Sequence, residues 1–199
     1  MDRKLHSLLS EHKAAIVERW YDAIIGTYPA DTAKFFRKEQ DQIANPVGQN
    51  IASAARIIVE ELLRDSAAPT EKLSEALDTI VRIRAVQQFS AGRAVSFVFA
   101  LKEVVEQELG AVVDGELRGA FRGFERLVDN LALHAFEIYA GCRERLHEIR
   151  LKEMKRKTYK LVERINAMPP RTRLGRREEA GQDGRVLKLS EEAPDKKDE

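Results

Sequence analysis

Few side chains in this sequence could bind a metal or attack a substrate, and they are scattered along it. The chain has one cysteine, Cys142, and four histidines. A zinc site with thiolate ligands needs several cysteines at close spacing, so a single cysteine excludes it. We expect Cys142 to act as a small apolar group in the core, with a redox-sensing thiol as the alternative. The histidines are His6, His12, His134 and His147.

His134 is the histidine whose position bears on a cofactor. It lies between Leu131 and Ile138, near the apolar stripe of the last predicted helix, and an inward histidine in a helical bundle can ligate haem. A hydrogen-bonded histidine at the edge of the core is the more common arrangement. We therefore predict that the protein has no cofactor and no metal. The alternative is a small-ligand pocket enclosed by Trp20, Phe35, Phe97, Phe99 and His134.

Four polar side chains interrupt the apolar face of the segment 80–89. Burial of such groups without partners is costly, so we expect pairing with Glu60, Glu61 or a helix end. The alternative is that they line an internal pocket or a dimer seam, where arginine is favoured for bidentate contacts. The four are Arg82, Arg84, Gln87 and Gln88, of which the first three are our candidate interaction residues.

The recognised catalytic motifs are missing. The sequence contains no G-x-S-x-G elbow, no P-loop, no G-x-G-x-x-G after a strand and no H-E-x-x-H. Catalysis needs polar groups that converge, usually on loops held by a rigid scaffold, and the predicted loops are short. We predict that the chain is not an enzyme.

Helices must position these side chains, because apolar residues recur every three or four positions and no convincing period-2 alternation occurs. We predict an all-α fold, a compact bundle of six or seven helices with an extended final helix. The expected helices are Ser10 to about Thr27, Asp31 to Lys38, Pro46 to about Arg64, one opened by Pro69-Thr70, one capped by Ser90 and ending at Gly110, and a long one from Asp114 onward.

Individual residues predict where a helix begins and which of its side chains contact other helices. Asn45 is the expected N-cap before Pro46, the first helical residue, and Phe35 and Phe36 are both expected in the core. Glycines four residues apart would let a neighbouring helix approach closely, and a frayed helix start is the alternative. They are Gly115, Gly119 and Gly123. The inner face of the long helix is expected to carry Phe121, Phe124, Leu127, Leu131, Ala135, Ile138, Cys142 and Leu146.

The charge balance narrows the class of partner. A formal net charge of +1 provides no whole-molecule field for nucleic acid, so we expect no nucleic-acid partner. No stretch approaches the roughly 20 uncharged apolar residues of a membrane span, and we expect no integral membrane segment. A lone cysteine is typical of a reducing compartment, which predicts a cytoplasmic protein.

The last fifty residues divide into two segments of different character. Residues 149–167 extend the last helix and are basic, which favours a solvated helix end; docking of an acidic partner is the alternative, with Lys155, Arg156 and Lys157 as candidates. Leu146, Ile149, Glu153 and Arg156 do not sustain an apolar seam, so we expect no long coiled coil. A short dimer contact between residues 124 and 146 stays open. Residues 168–199 are predicted to be disordered, because they are charged and lack a helical stripe.

An ordered series of short motifs runs through residues 1–148. The motifs are IVERWY at 16–21, YP at 28–29, NPVG at 45–48, IRAVQQFS at 83–90 and AVSFVFALK at 94–102. The series resembles the RsbRD-type N-terminal domain of the RsbR/RsbRD stressosome co-antagonists over roughly residues 5 to 145. The resemblance implies that residues 1–148 are one helical sensor domain.

The resemblance implies a globin-like or related helical fold without haem, homodimers formed through terminal helices, and signals passed to a C-terminal STAS domain. The segment that follows is too short and polar to fold as a STAS domain, so we expect action on a partner in trans. The predicted function is a non-catalytic regulatory module of a bacterial stress or signal-transduction pathway. Its predicted partner is a STAS-domain protein, a switch kinase or a respiratory complex. A haem-free ligand sensor and an accessory protein of an anaerobic respiratory redox complex are the alternatives.

Overall fold

The described part of the chain is built from α-helices. The computed structural model describes residues 2–64, 70–110, 113 and 115–167. Within these residues lie seven helices and no strand, so the predicted all-α class is confirmed. The globin-like arrangement stays a prediction, and the tail predicted to be disordered, 168–199, lies outside the described residues. The helices are α1 (Arg3–Glu11), α2 (Lys13–Ile25), α3 (Ala30–Lys38), α4 (Pro46–Leu63), α5 (Glu71–Val86), α6 (Ala91–Leu109) and α7 (Arg118–Ala167).

The N-terminal region forms two helices that meet at His12. The helix predicted from Ser10 to about Thr27 corresponds to α2 (Lys13–Ile25), but its predicted start at a Ser10 cap is wrong. The helix α1 begins at Arg3 because the Asp2 carboxylate accepts hydrogen bonds from the backbone N–H groups of the next turn, at 2.9 and 3.2 Å. Ser10 lies inside this helix. His12 lies between the helices, with its Nδ1 3.1 Å from Oε1 of Glu108 on α6. At the break His12 has a φ of −90° and a ψ of 5°, and its side-chain contact reaches a residue 96 positions away.

The short helix α3 places one of its two phenylalanines in the core. Phe36 is 8% exposed, but Phe35 is 47% exposed, so the prediction that both enter the core is wrong. Consecutive residues point about 100° apart on a helix, and on this short helix only Phe36 faces the core. Phe36 meets the Tyr28 ring edge-on at 5.4 Å between centroids.

Asn45 caps α4 as predicted, and it also ties the preceding loop to the helix. Its Oδ1 accepts a hydrogen bond from the Gly48 backbone N–H at 2.9 Å. Its Nδ2 donates to the carbonyl groups of Phe36 at 3.0 Å and Glu39 at 2.8 Å. A Cβ at position 48 would lie 2.4 Å from Nδ2, so the buried amide requires a glycine there.

The start of α5 and the end of α4 share a polar contact. The Thr70 hydroxyl caps α5 by accepting from the Leu73 backbone N–H at 3.1 Å, and it donates to Glu61 on α4 at 2.7 Å. Glu61 is buried and also pairs with Arg64 at 3.0 Å. Glu61 is therefore a structural residue that fixes the α4–α5 connection.

Apolar residues of α2, α4, α5 and α6 close the core. Burial of each large apolar side chain contributes about 1.5–3 kcal/mol relative to exposure. The helix α6 ends at Gly110, which has a φ of 54°; glycine adopts this left-handed conformation without a Cβ penalty. The core residues that are at most 1% exposed include Trp20, Ile24, Ile51, Ile58, Leu77, Ile80, Phe97 and Val98.

Polar contacts and buried apolar residues join α7 to α5 and α6. The Tyr139 hydroxyl donates to the Phe89 carbonyl at 2.6 Å, and Lys102 pairs with Asp129 at 2.6 Å. Buried side chains on this helix run from Phe121 to Cys142. By internal contacts the chain divides into two units, Met1–Arg156 and Lys157–Glu199.

The predicted glycine strip does not contact a neighbouring helix within the described chain. A Cβ added at Gly115, Gly119 or Gly123 would meet no atom within 4 Å. Gly115 precedes α7, while Gly119 and Gly123 lie in its first two turns. Close approach by another helix at this strip is therefore not a feature of the described fold.

Candidate functional site

Two of the four aromatic residues proposed as pocket walls, Trp20 and Phe97, fill the interior by packing on each other. Trp20 is 0% exposed and Phe97 is 1% exposed, and their rings stack at 5.9 Å between centroids. The Trp20 indole N–H donates to the Phe97 carbonyl at 2.7 Å, which satisfies its buried donor. Phe35 and Phe99 are about half exposed, at 47% and 46%, so they do not enclose this position.

His134 contacts α5 instead of the Trp20 ring. Its Nε2 lies 3.1 Å from the Ser74 hydroxyl, and its Nδ1 lies 3.6 Å from Glu137. Cys142 is buried, as predicted for an apolar role. Among the residues that the structure describes, no group of three or more histidine, cysteine or acidic side chains could hold a metal ion.

Arg84 is a fully buried cation, and its partners belong to a helix end. Its guanidinium donates to the Ile24 carbonyl at 3.1 Å and the Thr27 hydroxyl at 2.8 Å, where α2 ends. It also donates to the Arg93 carbonyl at 2.8 Å. The predicted pairing with a helix end is thus observed for Arg84, and the alternative pairing with Glu60 or Glu61 is not. The negative end of the α2 dipole partly offsets the buried charge.

Three aromatic rings surround the Arg84 guanidinium. The rings of Phe97, Phe89 and Tyr28 have centroids 5.0, 5.1 and 5.7 Å from its Cζ, within the range of cation–π attraction. Within the described ranges, no carboxylate pairs with this cation. Burial lowers the pKa of Arg84 below its ordinary value, and the nearby Tyr28 acts in the opposite direction. We call Arg84, Tyr28, Phe89 and Phe97 the Arg84 cluster.

The other three polar residues of the segment 80–89 are exposed to solvent: Arg82, Gln87 and Gln88. Arg82 pairs with Asp78 one turn earlier, at 2.7 Å. Gln87 follows the last residue of α5, and Gln88 has a φ of 63°. The expectation that all four interrupt a buried face is wrong for these three, because Arg82 lies on the outer face of α5 and the two glutamines follow its end. A role for Arg82 and Gln87 in partner contacts stays a prediction.

A groove of about 440 Å³ lies between α2 and α4. Its lining includes Val17, Tyr21 and Arg56, and its rim carries the ion pair Lys13–Glu60 at 3.2 Å. The charged groups of this pair satisfy each other. Glu18 and Arg56 are the other charged side chains in the lining of the groove.

A patch of exposed apolar side chains lies where α6 meets α7. Phe99 is 46%, Leu133 66% and Phe136 51% exposed. They share one surface, because Lys102 lies 5.8 Å from the centre of the Phe99 ring and also pairs with Asp129. Leu133 follows Asp129 by one turn, and Phe136 follows Leu133 by almost another. We call Phe99, Leu133 and Phe136 the α6/α7 patch.

The basic candidates Lys155, Arg156 and Lys157 are all exposed on α7. Beyond Cys142 no described residue of this helix is buried, and from His147 to Ala167 every side chain is exposed. The helix stays regular here although little packing supports it, which fits its content of Leu, Glu, Lys and Arg, all good helix formers. None of the described helices has the length and apolar character needed to cross a membrane.

Comparison with known proteins identifies a family over most of the chain. The family model described as "RsbT co-antagonist protein rsbRD N-terminal domain" matches residues 14–154. An uncharacterized protein of Archaeoglobus fulgidus is 28% identical over 142 residues, which cover 69% of this chain and 82% of that protein. No solved structure gives a significant match. The matched range contains the Arg84 cluster and the α6/α7 patch.

Proposed function

Because the chain belongs to the RsbRD N-terminal domain family, we propose that it is a non-catalytic regulatory module of a stress-signalling pathway that acts through protein–protein contacts. The family is described as part of a co-antagonist, which is a regulatory role. A module of this kind works by presenting surfaces, and its interior serves to hold them in place. The lone buried Cys142 supports a reducing, cytoplasmic location.

The observation that carries this proposal is the α6/α7 patch. Soluble proteins seldom leave several large apolar side chains together at the surface unless they meet a partner. Phenylalanine is enriched in interface cores, and burial of the two phenylalanines and Leu133 would remove substantial apolar area from water. We propose that the patch pairs with the same patch of a second copy about a two-fold axis, the most common arrangement of soluble oligomers.

The homodimer would then present two copies of α7 to a third protein. The resemblance to stressosome co-antagonists supports a STAS-domain protein or a switch kinase in this position. A respiratory complex is the other partner that the sequence suggested. Reciprocal capture with purified candidates, each tested against the chain and its dimer-deficient variant, would separate these partners from one another.

Substitution of Leu133 by lysine tests the dimer directly. Leu133 is 66% exposed, so the Leu133→Lys chain should fold, while burial of an unpaired ammonium would oppose the dimer contact. We expect sedimentation velocity to give a dimer for the unmodified chain and an increase of roughly tenfold or more in the dissociation constant for Leu133→Lys.

The matched control is Ile43→Lys, at a side chain that is 90% exposed and lies outside the patch. This variant should sediment like the unmodified chain, and both variants should keep the helical circular-dichroism spectrum. A monomer for the unmodified chain at roughly 100 μM, or equal weakening by the two substitutions, would contradict dimerisation through the patch.

A further inference from the structure

A second series of apolar residues lies along the C-terminal part of α7. Its residues are spaced alternately by three and four positions, which is the heptad spacing of helices that pair with another helix. Leu151, Met154, Leu161 and Ile165 are 43%, 63%, 59% and 59% exposed, and Thr158 between them is also exposed. We call these five residues the basic seam: Leu151, Met154, Thr158, Leu161 and Ile165.

The charges beside the basic seam are of one sign. If Leu151, Thr158 and Ile165 are the a positions, and Met154 and Leu161 the d positions, the flanking e and g positions carry basic residues with one exception, Val162. The acidic residues of the segment, Glu153 and Glu163, fall at c and f on the opposite side of the helix. The flanking basic residues are Arg150, Lys155, Lys157 and Arg164.

We propose that the basic seam docks an α-helix of another protein, one that has its own apolar a and d residues flanked by glutamate or aspartate. This inference rests on the proposed function and deepens it, because it assigns the chemistry of the partner. In a paired helix the e and g side chains of the two partners lie beside each other, so their charges decide which partners are accepted. An acidic helix neutralises the four flanking cations of the seam.

A second copy of the chain does not fit the seam. In a parallel pair, Arg150 at g would lie beside Lys155 at e of the other copy. In an antiparallel pair, like positions meet, which places Lys155 beside Lys155 and Lys157 beside Lys157. Both arrangements juxtapose like charges, which is destabilising. The seam is therefore selective for a different chain, whereas the α6/α7 patch lacks such a row of cations.

The shape of the seam favours a helix over a lipid surface. An a/d stripe is narrow, as in a coiled-coil seam, whereas helices that lie in a membrane interface have a broader apolar face, often with tryptophan or phenylalanine. The basic seam has no aromatic member, and Tyr159 lies on the opposite side of the helix at b. A partner helix of about 18 residues would cover the seam, because that length spans roughly 27 Å.

Titration of the full-length protein against a designed peptide tests the proposal. The probe is a fluorescein-labelled peptide of three heptads with isoleucine at a, leucine at d and glutamate at e and g; the matched peptide has lysine at e and g. We expect binding of the glutamate peptide, measured by anisotropy, at least roughly tenfold tighter than binding of the lysine peptide. Binding should weaken between low salt and about 0.5 M salt, where surface charges are screened.

Paired variants of the chain locate the binding surface. Leu161→Lys disrupts the seam and should weaken binding of the glutamate peptide by roughly tenfold or more. Tyr159→Lys, at a side chain on the far side that is 72% exposed, should leave it within about twofold. The double variant Lys155→Glu/Lys157→Glu should remove the preference between the two peptides, because its two glutamates offset Arg150 and Arg164. Lys152→Glu/Lys160→Glu has the same change in net charge but lies at b and c, and it should keep the original preference.

Three outcomes would overturn the proposal. One is equal binding of the two peptides. Another is co-sedimentation with vesicles of 30% phosphatidylglycerol that Leu161→Lys abolishes, without selective peptide binding, which would assign the seam to a membrane. The third is loss of homodimers in Leu161→Lys, which would assign it to a second copy. The dimer test at Leu133 probes the α6/α7 patch and not the basic seam. The dimer proposal and the seam proposal can therefore fail independently.

Discussion

The Arg84 cluster and the basic seam each reverse the usual distribution of charged and apolar side chains. In the cluster a cation lies in the interior, with carbonyl groups at 2.8 and 3.1 Å and three aromatic rings around it. In the seam, apolar residues that are up to 63% exposed lie between basic ones. The Arg84 guanidinium finds three acceptors within one chain, although Arg84 Nε and the Tyr28 hydroxyl have no hydrogen-bond partner among the described residues; the apolar residues of the seam have no such contacts there. The difference separates residues that fix the fold from residues that need a partner.

The largest effect expected in this comparison comes from removal of Arg84. Arg84→Ala loses hydrogen bonds to the end of α2 and leaves a cavity between three rings, so we expect the free energy of unfolding to fall by about 3–5 kcal/mol. Arg84→Lys should recover only part of this loss, because an ammonium group cannot reach the three acceptors in one planar arrangement. Urea denaturation followed by circular dichroism measures both.

Arg82→Ala is the matched control on the same helix. The Arg82 side chain is 57% exposed and pairs only with Asp78 among the contacts that the structure gives it, so its removal should change the free energy of unfolding by less than about 0.5 kcal/mol. Equal losses for the two alanine variants would contradict the structural role assigned to Arg84.

A smaller effect is expected from the Tyr28 hydroxyl. It is buried without a hydrogen-bond partner among the described residues, so Tyr28→Phe should change stability at pH 7 by at most about 1 kcal/mol. Burial raises the pKa of Tyr28 above the ordinary 10.0, and the nearby Arg84 acts in the opposite direction. The neutral phenol therefore favours the folded state fully below about pH 10, and this contribution is lost as pH rises through the folded pKa.

The midpoints of urea denaturation, measured between pH 8 and 11, would reveal how Tyr28 makes stability depend on pH. The unmodified chain should lose stability more steeply above pH 10 than Tyr28→Phe. Tyr21 also has a pKa raised by burial, but its hydroxyl donates to the Phe36 carbonyl at 3.1 Å, so Tyr21→Phe should already cost about 1 kcal/mol at pH 7. Identical alkaline slopes for the unmodified chain and Tyr28→Phe would contradict this account of the phenol.

The sequence predicted the features that depend on neighbouring residues. Asn45, Thr70 and Gly110 act where a cap or a helix end was expected, because the signal and the structure it creates lie within a few residues. The break at His12 and the exposure of Phe35 were not predicted, because no cap signal marks the break and the face on which α3 packs decides which phenylalanine is buried. Of the two pairings foreseen for Arg84, contact with a helix end is the one observed, at the carbonyl of a residue 60 positions away.

The apolar stripe of the basic seam was present in the sequence but was missed. The positions that continue the inner face of α7 are Leu146, Ile149, Glu153 and Arg156, and they become charged. The residues of the seam occupy other positions of the helix, and Met154 is 63% exposed. Periodicity alone does not distinguish an apolar stripe that packs in the core from one that stays in solvent.

The most direct test of the central claim, that α7 presents two surfaces with different partners, is amide hydrogen exchange of the full-length protein at roughly 1 and 100 μM. We predict that peptides covering residues 129–140 exchange more slowly at the higher concentration, because the α6/α7 patch becomes buried between copies. Peptides covering 150–165 should exchange at the same rate at both concentrations. Unchanged exchange at 129–140, or slowing at 150–165 as the chain is concentrated, would contradict the account.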